Sequence, residues 1–131
     1  MKIDHIGIAV KSIKEALPFY KDVLGLEYEG EEVLEDRGLK TAFLKAGESE
    51  IELLEAISED STIHKFIEKR GEGIHHLAIN VDDVDKKLEE MKKEGTNFIG
   101  EASTGAGGKK IVFIHPKSTN GVLMELCQHL K

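Results

Sequence analysis

The chain has 131 residues, 40% of them hydrophobic and 33% charged, with a formal net charge of -7, which fits one compact domain with a real core. An acidic chain without a basic stripe excludes a nucleic-acid binder, and no apolar run approaches the roughly 18 residues of a membrane helix. A start that goes straight into a strand pattern shows no signal peptide, and a single cysteine, Cys127, excludes an internal disulfide; the expected location is cytoplasmic.

In chain order, residues 3 to 10, "IDHIGIAV", alternate as a strand does. Ser12 offers an N-cap with Glu15 three residues on, predicting a helix over about 13–24 whose apolar face carries Ala16, Leu17, Tyr20 and Leu24. Pro18 fits best within the first turn or so of that helix, and Gly25 ends it. Strands are expected near 26–36, 39–46 and 50–57, and a linking helix over 59–71 with Ile63, Phe66 and Ile67 apolar. "IHHLAINV" predicts a strand over 74–81, followed by a helix over about 84–94 capped by Asp82 or Asp83 and ended by Gly95. Further strands are expected near 97–101, 110–115 and 121–128.

The second half repeats the first. His5 to His76 is an offset of 76 − 5 = 71, Gly25 to Gly95 is 95 − 25 = 70, and Glu52 to Glu125 is 125 − 52 = 73. This predicts an α+β fold of two tandem βαβββ modules, about 1–57 and 73–131, within a single domain, 1–131.

Strand alternation separates the two adjacent histidines. His76 shares a face with Ala78 and Asn80, whereas His75 lies with Leu77, Ile79 and Val81. His5 shares a face with Gly7 and Ala9. Small residues around one histidine leave room for a ligand, so His5 and His76 are expected to face a cavity. Glu52 and Glu125 each stand between apolar neighbours in the last strand of a module, a costly place for a carboxylate unless it is paired or bound to a cation. Two His and two Glu make a mixed N/O donor set that suits Mn²⁺, Co²⁺, Ni²⁺, Fe²⁺ or Zn²⁺ rather than Ca²⁺. Glu50 is the internal rival of Glu52, since both lie on one face of the strand.

"TGAGGKK", 104–110, lacks the spacing of a P-loop. It reads either as a hairpin turn or as a loop closing over substrate, with Lys109 or Lys110 on acyl or phosphate oxygens. "HPKSTNG", 115–121, reads as a turn in which Lys117 or Ser118 could touch substrate. His64, His115 and His129 have no partners in the repeat, and Cys127 reads as a packing residue.

The segments "DHIGIAV", "FYKDVLGL", "TAFLKAG", "IELLEAISEDSTIHKFIEKRGEGIHHLAINVDD" and "GAGGKKIVFIHPKSTNGVLMELC" cover nearly the whole chain. Through them the sequence resembles the vicinal oxygen chelate superfamily, which includes glyoxalase I, and within it the methylmalonyl-CoA epimerases. The resemblance implies a curved eight-stranded mixed sheet around a metal-binding cleft. It carries the ligand roles onto His5, Glu52, His76 and Glu125, with one divalent ion per chain, Co²⁺ or Mn²⁺ favoured and Ni²⁺ or Zn²⁺ possible. Some members have Gln where this chain has Glu52, an added negative charge that bears on metal preference.

The implied reaction interconverts 2R- and 2S-methylmalonyl-CoA through a metal-stabilised enolate, a racemase/epimerase chemistry on a small acyl-CoA. Glu125 is the first candidate base, and the resemblance supplies a second acid upstream of "GLKTAFL", Glu35 or its neighbour Asp36, with Glu35 preferred. A homodimer is also implied. Two competing readings are a glyoxalase I-type lyase acting on a glutathione hemithioacetal and a metal-free small-molecule binding protein of the same fold. The filled ligand set argues against the binder, and the central and "HPKS" blocks argue against the lyase.

Overall fold

A computed structural model describes residues 1–130; Lys131, the last residue of the expected second module, lies outside them. The chain forms two compact units, one of residues His5–His75 and one joining Met1–Asp4 to the chain from His76 onward.

The first module runs β1 (Lys2–Ala9), α1 (Ile13–Pro18), β2 (Glu27–Leu34), β3 (Leu39–Ala46) and β4 (Ser49–Ala56). Then come the linking helix α2 (Thr62–Arg70) and the second module: β5 (Gly73–Asn80), α3 (Val84–Lys93), β6 (Phe98–Thr104), β7 (Lys110–Ile114) and β8 (Met124–Gln128). The strand order is β2-β3-β4-β1 in the first module and β5-β8-β7-β6 in the second. In each, the first and last strands pair in parallel and the others are antiparallel, so the sheet is mixed. This is the α+β, twice-βαβββ architecture expected from the repeat.

Local chemistry sets the boundaries. Ser12 caps α1 by accepting a hydrogen bond from the Glu15 amide at 3.2 Å. Asp83 caps α3 in the same way, accepting from Lys86 at 3.1 Å. Pro18 differs from expectation. It closes α1 instead of opening it, and the chain continues over Phe19–Val23 as a wider π turn in which the Leu24 amide donates to Phe19 five residues back. Proline has no N–H to keep the α ladder going, and the wider turn re-satisfies the backbone beyond it.

A second device, invisible before the structure, fixes both module helices. The first amide of α1, Ile13, donates to the Glu55 carboxylate of β4 at 2.6 Å. The first amide of α3, Val84, donates to the Gln128 side chain of β8 at 2.9 Å. The donors are 84 − 13 = 71 residues apart and the acceptors 128 − 55 = 73, the offsets of the repeat itself. Each acceptor lies three residues beyond Glu52 or Glu125, so the strand that carries the acidic residue also anchors the helix.

Apolar side chains close the core on these helices. Val10, Ile13, Ala42, Leu44 and Leu53 pack under α1, and Val84, Leu88, Val112, Ile114 and Leu126 pack under α3. The His5 face is not open along its whole length. Ala9 and Leu54 pack with Ile63 under α2, so an open region is confined to the His5 end of that strand.

His75 lies apart from that face, as alternation predicts. Its ring meets Phe66 of α2 edge-on, with centroids 5.1 Å apart. Burial, and then the charge of Arg70, hold its pKa down from 6.5 to about 4. The fold therefore prefers neutral His75. Its contribution is complete above pH 6.5 and is lost as pH falls towards 4. After allowance for partial exposure, this contribution is about 2–3 kcal/mol. Chemical denaturation across this range should show the parent losing that much more stability than His75→Phe; parallel pH profiles would contradict the assignment.

Candidate metal centre and active site

Strand pairing in each module dictates how the candidate ligands meet. In the first, Gly7 of β1 is the register partner of Glu52 on β4. In the second, Ala78 of β5 is the partner of Glu125 on β8. The histidine stands two residues before the small residue in both cases, diagonally across from the glutamate on the same face. Gly7 and Ala78 leave space above the strand for the imidazole and carboxylate to lean together.

They do so in both modules. His5 Nδ1 lies 3.4 Å from a Glu52 carboxylate oxygen, with the side chains 3% and 2% exposed. His76 Nε2 lies 3.7 Å from a Glu125 carboxylate oxygen, with the side chains 6% and 5% exposed. The Phe113 ring stands edge-on to His76 at 5.8 Å between centroids and limits its rotation. Of the two rival glutamates on β4, Glu52 is buried and Glu50 only half-buried.

These separations test the fit to a metal. A direct N–H to O hydrogen bond spans about 2.7–3.2 Å. Two donors each about 2.0–2.2 Å from one ion stand roughly 3.0 Å apart at a right angle and about 3.3–3.6 Å apart at the tetrahedral angle. The His5–Glu52 separation falls in that range and the His76–Glu125 separation lies 0.1 Å beyond it, and buried carboxylates beside imidazoles are the donor chemistry of a divalent transition ion. The residues fit the group.

Glu35 and Asp36 occupy a single 3₁₀ turn, Glu35–Arg37, between β2 and β3, and both are exposed. Gly38 closes the turn at φ 64°, and its amide donates to the Glu35 carbonyl at 3.1 Å. A Cβ at Gly38 would stand 2.7 Å from the Ser58 hydroxyl, so the turn requires glycine on both counts. The two acids are thus held on a fixed corner of the backbone.

The lysines after the glycine-rich segment are placed differently from the substrate-contact reading. Lys109 is buried at 4% exposure, with its ammonium 3.2 Å from the Asp4 carboxylate. Lys110 forms an ion pair with Asp85. A Cβ at Gly107 would come within 3.3 Å of the Lys109 side chain, and one at Gly105 within 2.7 Å of Ile111. The glycines let the chain turn tightly enough to bring Lys109 inward. This pair was missed in the sequence, although Asp4 on an otherwise apolar strand face signals a buried acid in need of a cation. His115 caps the turn Pro116–Ser118 by accepting from the Lys117 amide at 3.0 Å, which gives it a structural role.

Comparison with known proteins places this geometry. Residues 4–113 match the model of the Glyoxalase/Bleomycin resistance protein/Dioxygenase superfamily. The chain belongs to that superfamily. Members commonly bind a divalent metal. Among solved structures, a hypothetical protein of Bacillus halodurans is 52% identical, with a TM-score of 0.97 over 99% of this chain and 95% of that one. The methylmalonyl-CoA epimerase of Streptomyces coelicolor, in complex with 2-nitronate-propionyl-CoA, is 37% identical, with a TM-score of 0.95 over 100% and 99% of the two chains. The ethylmalonyl-CoA/methylmalonyl-CoA epimerase of Cereibacter sphaeroides is 35% identical over 97% of both.

Proposed function

We propose that this superfamily member is a methylmalonyl-CoA epimerase, an isomerase that interconverts 2R- and 2S-methylmalonyl-CoA. The observation that carries the reading is the duplicated, buried His–Glu pair in a chain similar along its whole length to epimerases of acyl-CoA substrates. In this proposal His5, Glu52, His76 and Glu125 hold one divalent cation, with Co²⁺ or Mn²⁺ favoured. The cation supplies positive charge where the thioester oxygen gains electron density.

The chain's own residues handle the proton. C2 of the substrate lies between a thioester and a carboxylate, which makes its hydrogen acidic. Glu125 takes that proton on one face. Glu35 returns one to the opposite face, with Asp36 as the neighbouring candidate. His76, steadied by Phe113, stands beside Glu125 as the neighbouring ligand. The second charge of Glu52 favours a doubly positive ion over a singly charged one.

A homodimer is part of the proposal and is checked by sedimentation. A cytoplasmic setting is likewise part of the proposal; no helix among the described residues is long and apolar enough to cross a membrane. The direct test is a chiral assay of 2R-methylmalonyl-CoA, run beside ethylmalonyl-CoA and the glutathione hemithioacetal of methylglyoxal. Racemisation of the malonyl thioesters without turnover of the hemithioacetal is expected. The reverse pattern would make the protein a glyoxalase I-type lyase.

A further inference from the structure

A second cluster of donors gathers on Asp4; its Cys127 thiol also lies within 4.8 Å of the Glu125 carboxylate of the proposed catalytic set. Within the unit that joins the first four residues to the chain from His76, Asp4, Cys127 and His129 each offer one ligand atom, and the three atoms lie within 4.8 Å of one another. Asp4 and Cys127 are buried; His129 is exposed and forms the outer side of the group. The Nε2 atom of His129 is 2.5 Å from one Asp4 carboxylate oxygen, and Lys109 holds the other at 3.2 Å. The Asn80 amide stands 3.5 Å from the oxygen that faces His129.

We infer that Asp4, Cys127 and His129 form a second metal site, selective for a thiophilic divalent ion of the zinc class. Sulfur, imidazole and carboxylate are a zinc donor set, close enough here to meet on one ion by small side-chain shifts, with a fourth position left for water. Thiolate and carboxylate together balance the charge of the ion, and the thiol proton leaves to solvent when the metal binds. Lys109, buried, remains on one carboxylate oxygen and fixes the other towards Cys127 and His129, the role that partners of metal ligands commonly play. The His129 ring lies at the surface, so it can move outward by the fraction of an ångström that an ion between it and Asp4 requires. The site would fasten the C-terminal residues to the first strand. Its sulfur ligand gives it a preference that an all-nitrogen-and-oxygen centre does not share.

Cobalt is the probe, because a thiolate ligand adds a near-ultraviolet charge-transfer band that imidazole and carboxylate ligands do not. Metal-stripped protein titrated with Co²⁺ should show this band, and Zn²⁺ should abolish it by displacement. Cys127→Ser should remove the band. His129→Ala should weaken Co²⁺ binding at this site at least tenfold, the scale on which metal-site contacts act. His76→Ala and Glu125→Ala should each keep the band, which separates this site from the catalytic proposal. Zn²⁺ should also raise the melting temperature of the parent by more than that of His129→Ala. A folded parent that binds Co²⁺ without the band would overturn the inference. So would a band that survives in His129→Ala with undiminished affinity, since Cys127 would then ligate elsewhere.

Discussion

Replacing Glu125 by Gln is expected to lower kcat for epimerisation by about 10²–10⁴-fold, the usual contribution of a positioned proton-transfer group, with little change in KM. The substitution keeps the size and shape of a side chain that is 4% exposed and set between Met124 and Leu126, so the fold should survive; circular dichroism and the melting temperature check this. The split between kcat and KM carries the argument. A residue that only bound substrate would raise KM, whereas one that moves the proton acts in the transition state. Steady-state kinetics with a residual kcat within tenfold of the parent would remove Glu125 from the role of base and leave it, at most, a ligand.

The second large effect is stereochemical. Inversion at C2 needs one acid/base group on each face, so disabling one should not silence both half-reactions. Glu35→Gln is expected to lower interconversion of the epimers by about 10²–10⁴-fold. It should leave exchange of the C2 proton with solvent intact when the substrate is the epimer that Glu125 deprotonates. Asp36→Asn should leave both processes near the parent level. The tight turn makes the comparison clean, because both side chains are exposed and neither substitution disturbs packing. Interchanged results would assign the role to Asp36. Full epimerisation in both variants would place the second acid outside this turn.

Much of this was legible in the chain because the repeat is written in residue types that strand geometry constrains. Alternation around His5 and His76 told the two adjacent histidines apart, and His75 indeed lies edge-on to Phe66. Ser12 and Asp83 announced the helix starts through capping chemistry, which acts over three residues and needs no tertiary information. The contacts that were not legible connect residues distant in sequence. Nothing in the neighbouring sequence singles out Glu55 and Gln128, whose partners are the helix amides of Ile13 and Val84. Lys109 read as a loop lysine because its partner, Asp4, is 105 residues away. His129, set aside for want of a counterpart in the repeat, meets that same aspartate. Pro18 was misplaced for a local reason: a π turn gives a proline late in a helix a way to remain, and propensity rules do not anticipate it.

The central claim is that metal-dependent proton abstraction at C2 takes place on the His–Glu pairs, and hydrogen exchange at that carbon measures it directly. Metal-stripped protein would be incubated with 2R-methylmalonyl-CoA in D₂O, Co²⁺ or Mn²⁺ then added, and deuterium at C2 followed by mass and NMR, with His76→Ala in parallel. Exchange that starts on metal addition and is lost in the variant is the predicted result. Folded, metal-loaded protein that exchanges no C2 proton would contradict the account.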